Sequence, residues 1–182
     1  MGESDRFLDY KIKKQRFTLG QPNNALVWLF VINIIFYLVL ATIKVAISVN
    51  DNSDAAFYAQ VVPWFQLPAS LSVLSSRPWT FFTYMFSDVE LFRAISNMLW
   101  LWAFGGILQN LTGNRKLIPV YLYGGFAGAL FFITATYLIP SNRALIDSAS
   151  LLGANAPVMA VAVAATMVVP NYRFFRNLRG GI

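Results

Sequence analysis

The chain has 182 residues, of which 57% are hydrophobic, 16% aromatic and 12% charged; soluble globular domains carry about 25% charged residues. A soluble fold of this length has too little interior to hide that apolar surface, whereas a bilayer accepts it as exterior. The net charge of +6 does not point to nucleic acid, because the basic residues flank apolar runs. There is no cysteine and no histidine, which excludes a disulfide framework, a thiolate site and the usual general base, so no cofactor or metal is expected.

Residues 1–24 are polar and basic, with Lys11, Lys13, Lys14 and Arg16 close together, and read as a cytoplasmic tail. This is not a cleaved signal peptide: the chain opens on polar residues, and the apolar run that follows is too long for a signal core. Gln21-Pro22-Asn23-Asn24 breaks the chain, with Asn24 as a helix N-cap. Residues 25–49 are apolar apart from Asn33, Thr42, Lys44 and Ser48, and as a helix they reach about 37 Å, enough to cross a ~30 Å hydrocarbon core.

Residues 50–90 hold no stretch long enough to span. Phe57, Tyr58, Trp64, Phe65, Trp79, Phe81, Phe82 and Tyr84 fall in short pieces broken by Pro63, Pro68 and Pro78. Amphipathic aromatics at that density predict a long loop lying in the membrane interface.

Spans are then predicted at 91–111, 117–139 and 150–169, divided by the basic turn Gly113-Asn114-Arg115-Lys116 and by Pro140-Ser141-Asn142. A basic end, residues 170–182, follows Pro170. Gly124 and Gly128 form a Gly-x-x-x-Gly pair in the third span, for which helix packing is the expected use. The prediction is thus an all-α polytopic bundle of four transmembrane helices. With the N-terminus inside, ten of the fourteen Lys and Arg residues lie inside, so both ends are expected to be cytoplasmic.

Polar groups within spans are costly and point to function. Arg93 and Asn97, four residues apart, share a face near the outer end of the second span. Gly153-Ala154-Asn155 opens the fourth span, so the topology puts Asn155 at a similar depth. The structural alternatives are interhelical hydrogen bonding for Asn97 and Asn155, and snorkelling to headgroups for Arg93.

The run Arg77-Pro78-Trp79-Thr80-Phe81-Phe82-Thr83-Tyr84-Met85-Phe86, then Asn97-Met98-Leu99-Trp100, then Gly153-Ala154-Asn155 resemble the rhomboid intramembrane serine proteases. The resemblance runs from about residue 25 onward and includes the long aromatic loop. It implies a six-helix core, of which this chain carries four helices in a partial domain over residues 25–169. In that family the serine of a Gly-x-Ser motif opening helix four attacks the peptide bond of a transmembrane substrate, with a histidine on helix six as base. A His-x-x-x-Asn pair on helix two stabilises the oxyanion. Position by position, Asn97 keeps the asparagine, Arg93 stands for that histidine, Asn155 for the nucleophilic serine, and Asp88 where many relatives have another histidine.

Three functional expectations result. An asparagine amide has no hydroxyl to form an acyl-enzyme, so the first is a pseudoprotease that binds transmembrane helices of other proteins in a lipid membrane, with Arg93 and Asn97 donating to a carbonyl. The second is a serine protease by an unusual route, alone or with a partner chain, using Ser96, Ser148 or Ser150 and Lys44 as a desolvated base. The third is an inactive, truncated remnant. The basic inner flanks and the resemblance together imply a multi-pass protein of a bacterial inner membrane.

Overall fold

A computed structural model of the chain describes residues 24–51 and 54–168. Of the two segments expected to be cytoplasmic, residues 1–24 and 170–182, all but Asn24 lie outside them. The first helix, α1 (Ala25–Asp51), starts where Asn24 accepts the backbone N–H groups of Leu26 and Val27 on its side-chain oxygen, at 3.1 and 3.4 Å. Two further long helices are α5 (Leu91–Thr112) and α6 (Asn114–Leu138), joined at Gly113, whose φ of 83° suits a residue without Cβ.

Among the described residues three helices are long and apolar enough to cross a membrane, Ala25–Val49, Leu91–Thr112 and Asn114–Leu138. In the most apolar stretch of each, only 22–28% of residues are buried within the protein. Trp28, Ile35, Leu38, Phe92, Leu99, Tyr123 and Phe131 all face outward. A soluble protein would not leave such faces bare; here lipid is the solvent. The chain is therefore an all-α polytopic membrane protein.

The last described helix, α7 (Asn155–Val168), starts five residues later than the expected fourth span. Its 14 described residues reach only about 21 Å. Ser150–Leu151 is instead a short strand, β2, paired antiparallel with β1 (Leu67–Pro68) in the loop after α1. Ala69 N–H extends the pairing to the Ala149 carbonyl at 3.0 Å. Leu151 thus goes to a strand partner contributed by a distant stretch of chain, which hydropathy along the chain does not register.

The long loop folds as α2 (Ala55–Gln60), a tight turn at Val62–Trp64, β1, α3 (Leu71–Ser76) and α4 (Thr80–Thr83). None spans. The Trp64 and Trp79 rings stack at 5.9 Å, and the Arg77 guanidinium lies 4.3 Å from the Trp64 ring centre while donating to the Pro63 carbonyl at 3.0 Å. Beyond α4 the chain turns into the bundle and buries Tyr84, Met85 and Phe86. The Tyr84 hydroxyl donates to the Gly125 carbonyl, and the Tyr121 hydroxyl to the Met85 carbonyl at 2.9 Å.

Gly124 and Gly128 lie against α7. A Cβ at Gly124 would stand 2.1 Å from Ala160 Cβ, and one at Gly128 2.5 Å from Ala156 Cβ. The expected packing use of the glycine pair is thus observed, with Ala156 and Ala160 as the opposing small residues.

Candidate functional site

At the end of the bundle where α5 begins, Ser87 to Glu90 form the short connection leading into that helix. Asp88, only 5% exposed, turns its side chain down along α5. Its Oδ1 accepts Arg93 Nε–H at 2.7 Å and the Glu90 backbone N–H at 3.3 Å. Its Oδ2 accepts Asn97 Nδ2–H at 3.3 Å. Helical spacing explains the arrangement: residues 93 and 97 stand one above the other on a single face, so one carboxylate reaches both. Arg93 also approaches Glu90, with Nη1 3.6 Å from Oε1. Burial pushes the Asp88 carboxyl above its ordinary value, while the Arg93 charge and hydrogen bond oppose that rise.

Gly153, just before α7, closes the cluster. Its φ is 111°, and a Cβ there would meet Asp88 Oδ2 at 3.2 Å and Arg93 Nε at 3.4 Å. The Gly153 N–H donates to the Tyr84 carbonyl at 3.0 Å, fixing the approach. The segment opening α7 therefore meets the cluster through Gly153, whereas the sequence put Asn155 at that depth.

Of the residues singled out in the sequence, the structure brings Arg93 and Asn97 together, on the Asp88 carboxylate. Asn155 is exposed at the first position of α7, and its side chain makes no hydrogen bond among the described residues. It joins the cluster only along the chain, through Gly153 and Ala154. Asp88, which in the sequence stands out only as a family position, is the residue that organises the cluster. The available signal was a carboxylate five residues before an arginine and nine before an asparagine at a helix start.

The serine route finds other partners for its members. Lys44 Nζ is paired with Asp54 at 2.9 Å and lies 5.3 Å from the Tyr58 ring centre. Ser150 Oγ bonds Gln66 Oε1 at 3.0 Å, Ser148 Oγ donates to the Leu145 carbonyl at 3.3 Å, and Ser96 is exposed. Among the described residues no serine hydroxyl is hydrogen-bonded to the Lys44 ammonium; that of Ser48 shares the Asp54 carboxylate with it.

A cleft of about 440 Å³ opens between α1 and α5 beside the cluster. Phe30, Ile34, Ile95 and Met98 line its apolar part, and Asn33, Asp88 and Asn97 its polar part. Asn33 is held by donating to the Leu29 carbonyl at 2.8 Å, with the Tyr121 hydroxyl 3.3 Å from its Oδ1.

Fold and site together define a helical membrane protein with a polar cluster buried at one end of its bundle, below a long aromatic loop. Residues 75–178, more than half of the chain, match the Rhomboid domain, and the chain belongs to the rhomboid family of intramembrane protease-like proteins. It is similar to the Rhomboid protease GlpG of Salmonella newport (strain SL254) and to that of Salmonella typhi, 26% identical over 119 residues in each case. That similarity covers 65% of this chain and 38% of each relative's length. No solved structure matches the chain significantly.

Proposed function

We propose that this rhomboid-family chain is a pseudoprotease, binding transmembrane helices without cutting them. The observation that carries the reading is Asn155, which stands where the family's Gly-x-Ser motif has its nucleophile. An amide nitrogen is not a nucleophile at neutral pH, and its carbonyl oxygen cannot release a proton to a base. None of the 182 residues is a histidine, so the chain also lacks the family's usual base. The family resemblance supports a lipid-embedded site that meets helices of other proteins. The GlpG relatives support a bacterial inner membrane, and the basic flanks support cytoplasmic ends.

Reaction of the purified chain with a fluorophosphonate probe tests this directly. No serine is expected to label, and no single-span substrate is expected to be cleaved. Asn155→Ser should remain inert, because it restores a hydroxyl without a base. Labelling of the wild-type chain at any serine would sink the reading.

A further inference from the structure

We propose that the cleft between α1 and α5 docks a transmembrane helix carrying a hydrogen-bond donor, with the Asp88 carboxyl group as its acceptor. This rests on the helix-binding reading above and specifies where the helix sits and what chemistry it brings.

The polarity of the site decides the kind of occupant. A site built to hold a peptide carbonyl offers donors. Here the Arg93 Nε–H and an Asn97 amide N–H both point at Asp88, at 2.7 and 3.3 Å, so the expected donors serve an internal carboxylate. Two carboxyl groups, Asp88 and Glu90, share the single guanidinium of Arg93. The local balance is acidic, which opposes a carbonyl or an anion and favours a donor or cation.

Geometry favours a helix over a lipid. Asp88 reaches both Arg93 and the Asn97 amide, about 9 Å along α5 from its first residue. A lipid brings a headgroup or an acyl chain to one place, whereas a helix lying along α5 brings a side-chain donor and an apolar face together. The wall fits as well: Ile34 and Ile95 are exposed and apolar, so a helix lying across them replaces lipid without loss and brings its one polar group to Asp88.

The test uses oligo-leucine single-span helices co-expressed with the full chain. One probe is all leucine, and two others carry a single lysine in the second turn from either end, so that insertion direction does not decide the result. A photo-reactive residue replaces Ile95 on the cleft wall or, in a separate variant, Met159 on the exposed side of α7. From position 95 one of the lysine probes should be captured about tenfold more than the all-leucine probe, the size of one good polar contact in a membrane. Asp88→Asn should bring the two to parity. Ile34→Trp, which fills the cleft from its apolar wall and leaves the cluster intact, should abolish capture from position 95.

Equal capture of lysine and leucine probes overturns the proposal, as does a lysine preference that survives Asp88→Asn. So does crosslinking from position 95 to a second copy of this chain in place of the probe. Capture from position 159 without capture from 95 overturns the cleft and leaves helix binding standing. Capture from neither position overturns both.

Discussion

Asp88 stands three residues before α5, yet its carboxylate ties together groups in the first and second turns of that helix. Its side chain is 7% exposed and that of Arg93 28%, so the pair is screened much less than a surface ion pair. Removing either member leaves buried polarity behind. Asp88→Ala and Arg93→Leu should each destabilise the chain by about 2–3 kcal/mol, somewhat below the figure for a fully buried pair because Arg93 reaches the surface. The double variant should cost less than the two single changes added, because each removes the group the other strands. Thermal unfolding in detergent micelles measures all three; simple additivity would mean that the contact contributes nothing.

The same residue sets a pH dependence. The carboxyl is raised in the folded chain, so the folded state holds its proton at pH values where the unfolded chain has released it. Stability from this group is then complete below the ordinary carboxylate value of about 4, and is lost as pH rises through the raised folded value. Asp88→Asn should flatten that slope in micelle unfolding measured from pH 4 upward. The opposite trend, stability rising over that window and tied to Asp88, would show that Arg93 outweighs burial.

Among the elements, α6 and α7 depend most on missing side chains. A methyl at Gly124 or Gly128 would overlap Ala160 or Ala156, and neither neighbour is a flexible side chain able to swing away. Gly124→Ala and Gly128→Ala should each push α7 off α6 and cost about 1–3 kcal/mol, read as a lower unfolding midpoint in micelles. Gly113 provides the contrast in cause, since nothing lies within 4 Å of a Cβ there, but its φ of 83° with ψ of 166° is a backbone region nearly reserved for glycine; Gly113→Asn should cost about 1–3 kcal/mol through strain alone. The glycine pair was legible in sequence because spacing alone puts residues 124 and 128 on one helix face. The start of α7 was not: residues 150–154 are nearly all small or apolar, and only the pairing of Ser150 and Leu151 with Pro68 and Leu67 reveals a strand. The same limit applied to the site. Asn97 and Arg93 announced themselves as polar groups in an apolar run, but Asp88 lies in a loop, where a charge ordinarily means solvent, and its burial is a tertiary fact.

For the molecule as a whole, the last expectation concerns direction in the bilayer. Basic residues cluster at Lys11–Arg16, at Arg115 and Lys116, and at Arg173–Arg179, whereas Asp51, Asp54, Asp88, Glu90 and Asp147 lie toward the other end of the helices. The fold brings Asp54 and Asp88 close to helix-borne cations, Lys44 at 2.9 Å and Arg93 at 2.7 Å, so two of the four cations on the acidic side are neutralised where they stand. A third, Arg77, is held on the Trp64 ring and the Pro63 carbonyl. By count, ten of the fourteen Lys and Arg residues fall in the turn after α5 and in the two terminal segments, and short basic segments of this kind are expected on the cytoplasmic side. A reporter within residues 50–60 should read external, and reporters after Thr112 and after Ile182 should both read cytoplasmic. Moving Arg115 and Lys116 to Ala should weaken the bias without inverting it, because the terminal clusters remain. An external reading after Ile182 would mean that the stretch containing α7, whose described part reaches only about 21 Å, enters the bilayer without crossing it.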